Sequence, residues 1–160
     1  VRGGEEENLG AISVYQYDLK NNEMIGQYLY PLHVPPAESN LTDEQKESLR
    51  RDNGVTEILA FDNNTLIFLE RAFLGGTSKK LHVRLYMVSL TEETNILTGN
   101  FDLLKPKKVF DFYATDVPFE VDNIEGMTFN ADKSRLYLIS DDNFDHYGEQ
   151  VTQIITLKIN

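Results

Sequence analysis

The sequence predicts an all-β fold of antiparallel blades in the manner of a β-propeller, with one surface helix. A β-sandwich is the alternative that the strand spacing also permits. Three observations carry this expectation. Short stretches with alternating apolar and polar residues recur along the chain, separated by Gly, Asn, Asp and Pro clusters. No strand–helix–strand alternation is visible, which argues against a parallel α/β sheet. A unit also repeats: GVTEILAFDNNTLIFLERAF lies beside NIEGMTFNADKSRLYLISDDNF, and each is followed by a loop and a further strand-like run, HVRLYMVSL or VTQIITLKI.

Taken in order, residues 1–10 are charged and Gly-rich and read as a flexible or edge segment. Residues 11–19 alternate well enough for a strand, Asn21-Asn22 supplies a turn, and residues 24–32 form the second strand of a hairpin. Pro35-Pro36 ends it, because proline cannot donate to a ladder. Thr42 with Gln45 is a capping-box pattern, DEQKESLRR carries a helix, and Asn53-Gly54 stops it. Only Leu41 and Leu49 are apolar near the ends of that helix, so a surface insertion is expected. The chain then turns to strands, expected at 55–61, 65–73, 82–90, 108–112, 124–129, 135–140 and 151–159.

Within the repeat, Glu57 stands four residues before Phe61, and Glu125 four before Phe129. Glu70-Arg71-Ala72-Phe73 then aligns with Asp141-Asp142-Asn143-Phe144. In an antiparallel pair the start of one strand meets the end of the next. Asn123 and Glu125 are therefore expected at one edge with Asp141, Asp142 and Asn143. Such an oxygen-rich group suits a hard cation or a phosphoester site; it equally suits a solvated loop.

Composition narrows the classes. A length of 160 residues fits one domain with a real core. A formal net charge of −11 argues against nucleic acid and is compatible with divalent cations. No apolar run approaches the roughly 20 residues of a membrane span. With no cysteine, thiol catalysis, disulfides and Cys-ligated metals are excluded. The chain opens on Val1 without a signal-peptide pattern, and the expectation is that a signal or upstream segment has been removed.

Several motifs are absent: GxSxG, the Walker loop, HExxH and GxGxxG. RAFLGGTSKK has glycines and lysines but no helix after it, so it is a poor phosphate cradle. Asp141-Asp142-Asn143 with Asp145 lacks EF-hand spacing, and His146 beside it is read as a solvated loop histidine before an acid or base. His33 and His82 have no ligand-spaced neighbours and are assigned no role. Tyr15, Tyr17, Tyr28 and Tyr30 could form a binding platform, although packing against a neighbouring blade is the expected use. Asn40-Leu41-Thr42 and Asn63-Asn64-Thr65 fit glycosylation acceptors in a chain secreted by a eukaryote.

GVTEILAF, LIFLERAF, DNIEGMTF, LYLISDDNF and TQIITLKI follow one another in an order that resembles the phytase-like family, described as having esterase-like activity. The resemblance covers about residues 54–160. It implies a secreted or periplasmic, propeller-like domain longer than this chain, which would be its C-terminal portion, with missing blades supplied by the rest of a longer chain. It further implies metal-assisted hydrolysis of a small-molecule phosphoester. The family's acidic positions map onto Glu57, Glu70, Glu125 and Asp141, with Asn123 and Asn143 as amides and Arg71 as the basic member. By that resemblance these acids and amides would hold calcium, Glu125 and Glu57 would activate water, and Arg71 with Asn143 would orient substrate. Two rivals stand beside this reading. One is a non-catalytic β-propeller module that binds a protein or glycan, and the other is a calcium-dependent lactonase-like hydrolase.

Overall fold

The computed structural model describes residues 8–34, 42–44, 53–74, 80–113, 117–119, 121–145, 148 and 150–159. Alternating runs in the sequence become nine strands, all paired antiparallel, among the described residues. β1 (Asn8–Asp18) and β2 (Glu23–His33) form a hairpin. β3 (Asn53–Ala60), β4 (Thr65–Leu74), β5 (Lys80–Ser89) and β6 (Lys107–Tyr113) make a meander in chain order. β7 (Ile124–Phe129), β8 (Arg135–Ser140) and β9 (Ile154–Lys158) make a second one.

The period-two alternation of β4 and β5 decides how these sheets stack. Ile67, Leu69, Val83 and Leu85 point to one side and pack on Ile124, Met127, Leu136 and Leu138 of the third sheet. Phe68, Tyr86 and Val88 point to the other side and meet Tyr28 and Tyr30 of the hairpin, with Leu104. The four-stranded sheet is thus the middle layer, covered on both faces, and its two central strands bury apolar side chains on both sides for that reason. The Tyr30 ring lies flat on Phe68, with centroids 3.9 Å apart. The fold is all-β with open antiparallel sheets, an arrangement that fits stacked propeller blades and a layered sandwich alike.

All nine expected strands are present, with shifted ends. β1 starts at Asn8, earlier than expected, and β9 starts only at Ile154. Before Ile154 the chain is held at Ser140, whose N–H donates to the Gln153 carbonyl at 3.0 Å, and by the Ser140 side chain. Ser140 Oγ donates to the Val151 carbonyl at 2.8 Å and accepts from the Gln153 amide at 2.8 Å. Of the expected surface helix, Asp43 and Glu44 are helical, and residues 45–52 lie outside the described residues. So do Pro35-Pro36, residues 75–79 of the Gly-Lys loop, His146, and residues 1–7. The four tyrosines split: Tyr28 and Tyr30 pack inward as expected, whereas Tyr15 and Tyr17 on β1 are exposed.

One feature had no sequence signal strong enough to predict it. Residues 91–99 fold into two 3₁₀ turns, Glu92–Thr94 and Ile96–Thr98, with Asn95 between them. Asn95 is buried, and its Oδ1 accepts from the Gln27 and Leu97 amides at 3.1 Å each. Its Nδ2 donates to the Ile25 carbonyl at 3.2 Å, and Leu104 N donates to Leu29 O at 2.8 Å. One loop therefore satisfies the outer edge of β2 with a side-chain amide and a single bridge.

The internal repeat is real, but its register differs from the sequence alignment by one residue. β3 bulges at Thr56, between the pairs Val55–Glu70 and Glu57–Leu69. β7 bulges at Glu125, between Ile124–Ser140 and Gly126–Ile139. Structural equivalents are therefore Thr56 with Glu125, Glu57 with Gly126, Glu70 with Ser140, and Arg71 with Asp141. A one-residue offset moves every side chain to the opposite face. The acid pair of one unit is not a copy of that in the other.

Candidate functional site

The bulge at Glu125 places the first group of interest. An unpaired bulge residue is free of the ladder, and its side chain can be re-aimed. Glu125 reaches across to β4, where Arg71 Nη1 lies 3.3 Å from its Oε1. Asn123 Nδ2 donates to the same oxygen at 2.6 Å. The two bulges also touch, since Thr56 Oγ1 donates to the Ile124 carbonyl at 3.3 Å. Arg71 and Glu125 side chains are 21% and 40% exposed, so the pair is open to a small molecule. Burial pulls the Arg71 pKa below its ordinary value and the nearby Glu125 carboxylate opposes that; a guanidinium stays charged under both. Arg71 Nε is buried and makes no hydrogen bond among the described residues.

Other predicted site residues stand near this pair with different duties. Glu57 Oε1 accepts from the amide of Ile58 at 2.8 Å, and its Oε2 lies 4.0 Å from where a Cβ on Gly126 would sit. Asp141 donates its backbone N–H to the Asn123 carbonyl at 2.9 Å, and its Oδ1 accepts from the Asn143 amide at 3.0 Å. Asn143 Nδ2 donates to Gln150 Oε1 at 3.2 Å. Asp142 caps the Phe144 amide at 3.0 Å. Asp122, not singled out from sequence, accepts from the Asn123 amide at 2.8 Å and the Val151 amide at 2.9 Å.

Glu70 is elsewhere. It follows the alternation of β4 to the hairpin side, opposite Arg71, and is fully buried. Its Oε1 accepts from the Tyr30 hydroxyl at 2.7 Å and lies 2.8 Å from His33 Nδ1. Its Oε2 is 2.9 Å from Arg84 Nη2, on the residue directly across the ladder in β5. Arg84, fully buried too, also donates to the His33 carbonyl and Asn53 Oδ1. Its Nε and Nη1 find no acceptor among the described residues. His33 stacks on Tyr86 at 4.2 Å. Burial above all, and the Glu70 carboxylate next, hold the Tyr30 hydroxyl well above its ordinary pKa. The partner of Glu70 is Arg84, not the adjacent Arg71, and His33 has a definite place after all. The available signal was Arg84 itself: in HVRLYMV the alternation puts it on the face shared with His82 and Tyr86, where a lone arginine needs a buried acid.

These contacts bear on calcium. A calcium shell needs six to eight oxygens. Among the described residues no three His, Cys, Asp or Glu side chains gather. One oxygen of Glu125 already takes two donors, and Glu70 is closed off by Tyr30, His33 and Arg84. In this arrangement the cation facing Glu125 is Arg71.

No helix among the described residues is long and apolar enough to cross a membrane. No curated protein and no solved structure matches the chain. The sequence model of the phytase-like family, described as having the esterase-like activity of phytase, matches residues 3–144. That match starts well before the resemblance read from residue 54, takes in the first hairpin, and ends at Phe144 ahead of β9. The chain therefore belongs to the phytase-like family, and its function is of the esterase-like, hydrolytic class.

Proposed function

We propose that the chain hydrolyses a phosphoester at the Arg71–Glu125–Asn123 group. The observation that carries this reading is the shared Oε1 of Glu125, held by Arg71 at 3.3 Å and by Asn123 at 2.6 Å. A carboxylate fixed through one oxygen presents the other to solvent water and can take a proton from it. The part-exposed Arg71 guanidinium, charged beside that carboxylate, is the cation that meets an oxyanion. Water attacks phosphorus, its proton passes to Glu125, the ester P–O bond breaks, and the leaving alkoxide takes up a proton. Glu57, which flanks Gly126, is a second acid within the same surface and would supply that proton from its protonated form, while Glu125 keeps the proton taken from water. Phosphate release from a chromogenic monoester tests this. Glu125→Gln should lose at least tenfold in kcat, and a loss below tenfold removes Glu125 from the chemistry.

Calcium belongs to this reading in a reduced form. Glu125, Asn123, Asp141 and Asn143 supply oxygens at neighbouring strand ends and would have to release Arg71 to share a cation; Glu57 and Glu70 are not needed for it. Thermal unfolding in EDTA and then in rising calcium decides this, because a ligand of the folded state raises the midpoint with its excess. No shift removes calcium. Lactones screened beside phosphoesters separate the lactonase rival. Secretion or periplasmic export, and further blades from a longer chain, remain part of the reading and are tested by cell fractionation of the full gene product. A protein- or glycan-binding role is favoured by one observation, the exposure of Tyr15 and Tyr17 at 62% and 50%. It predicts binding that Tyr15→Ala abolishes, without any hydrolysis.

A further inference from the structure

Arg71 and Glu125 stand on different sheets, and among the described residues no ladder joins β4 to β7. The gap between them is set instead where two irregular strands meet. On β3, Leu59 packs against the core shared with the third sheet, and Glu57 lies beside Gly126 of β7. Strict alternation would turn Val55 to that same side and Thr56 away from it. The bulge breaks the pattern: Val55 packs with the hairpin-side cluster, and the Thr56 hydroxyl donates to the Ile124 carbonyl at 3.3 Å. On β7, Met127 and Phe129 face the middle sheet, so alternation would carry Glu125 inward and Ile124 outward. There the bulge turns both inward, Ile124 into the core and Glu125 onto Arg71. Each bulge thus adds one polar side chain to the space between the sheets. The carbonyl that Thr56 holds belongs to the peptide unit that carries the Glu125 nitrogen. A peptide unit is planar, so holding its oxygen fixes the plane from which the Glu125 side chain departs.

We propose that Thr56 is a positioning residue for this site: it pins the Ile124–Glu125 peptide and so sets the Glu125 carboxylate within reach of Arg71. This rests on the hydrolytic reading of Glu125 and gives that carboxylate a support outside the ion pair itself. A bulge residue is free of the ladder, so its peptide can pivot unless a neighbour holds it. Without the hydroxyl, the Ile124 carbonyl loses its donor and turns toward water, carrying Glu125 with it. Misplacing a reacting group by about 1 Å costs up to roughly a hundredfold in rate, so a hydroxyl that touches no substrate still governs kcat. Substrate binding is spared, because Arg71 is held within β4 by its ladder partners Gly54 and Val83.

Thr56→Val exchanges the hydroxyl for a methyl of similar size in a strand that favours β-branched residues, and Thr56→Ser keeps the hydroxyl. Where Thr56→Val crowds the bulge, Thr56→Ala removes the same hydroxyl. On a chromogenic phosphate monoester, Thr56→Val should lower kcat about tenfold with KM within about twofold, and Thr56→Ser should stay within about threefold of the unaltered chain. General loosening of the fold would not give that split, nor rescue by serine. Crystal structures of the unaltered chain and of Thr56→Val supply a readout that needs no activity. The separation of Arg71 Nη1 from Glu125 Oε1 should grow from 3.3 Å to beyond about 4 Å, outside ion-pair contact. Equal kcat in Thr56→Val, a Thr56→Ser variant as slow as Thr56→Val, or an unchanged separation overturns the assignment. If the unaltered chain hydrolyses no phosphoester, the hydrolytic reading fails by itself and the separation alone decides whether Thr56 places Glu125. An opened pair then supports the clasp, and an unchanged pair overturns it.

Discussion

Replacing Glu70 by leucine gives the sharpest quantitative test of the buried network. The carboxylate serves three partners at once: the Tyr30 hydroxyl at 2.7 Å, His33 Nδ1 at 2.8 Å and Arg84 Nη2 at 2.9 Å. Removing it leaves a guanidinium that is fully buried and whose Nε and Nη1 already have no acceptor among the described residues. Breaking one side of a buried ion pair costs about 3–5 kcal/mol, and losing acceptors for Tyr30 and His33 adds to that. Urea unfolding at neutral pH, with an m value of about 2 kcal/mol per M, should therefore show a midpoint lower by about 2 M. Where that leaves too little folded protein, Glu70→Gln keeps the shape and removes the charge, with a smaller loss in the same direction. The double variant Glu70→Leu with Arg84→Met should recover most of the loss, because no buried charge is then left unpaired. A loss under about 1 kcal/mol for Glu70→Leu alone would refute the network as the polar bridge between hairpin and middle sheet. So would a double variant as unstable as the two single ones added together, since contacting residues should couple.

Three other outcomes follow from the same structure. Because the folded-state pKa of Tyr30 is raised, its contribution is complete below the unfolded value of about 10 and is lost as pH rises past it. Stability should fall by about 1.4 kcal/mol per pH unit from this one group above pH 10, and Tyr30→Phe should remove that part of the slope in alkaline unfolding. Asn95→Ala leaves the Gln27 and Leu97 amides without their acceptor and should cost about 2 kcal/mol in thermal unfolding, with faster exchange at Gln27. Gly126→Ala puts a methyl 2.8 Å from Ile139 Cγ2, the end of a half-exposed side chain. It should cost about 1 kcal/mol in thermal unfolding, and no loss would show that Ile139 turns aside freely.

Much of this fold was legible because period-two alternation survives in β2, β4, β5, β7 and β8. What escaped was information that periodicity does not hold. A bulge inserts one unpaired residue without disturbing composition, so aligning Glu57 with Glu125 looked sound until Thr56 and Glu125 proved to be the equivalent pair. Grouping Glu70 with Arg71 set aside the alternation of β4, which sends adjacent side chains to different interfaces. His33 and Arg84 are 51 residues apart, and only the stacking of the hairpin on the middle sheet brings them to one carboxylate. Asn123 and Glu125 came through because they lie two residues apart at a strand start, where local geometry alone puts them together.

The placement of Glu70 and Arg71 on opposite faces of β4 has a consequence for how such a sequence can drift over evolutionary time. Point changes at the loops flanking β4 alter only loops, but gain or loss of one codon inside the strand exchanges its two faces beyond that point. Glu70 would turn toward Glu125, and Arg71 toward Tyr30 and His33, so one event would place like charges together at the open site and strand the buried guanidinium of Arg84. β4 is therefore a reading frame in three dimensions, in which length is under tighter constraint than residue identity. Length variation should collect instead at the turn at residues 61–64 and the turn at residues 130–134, where the hairpins close without crossing either interface.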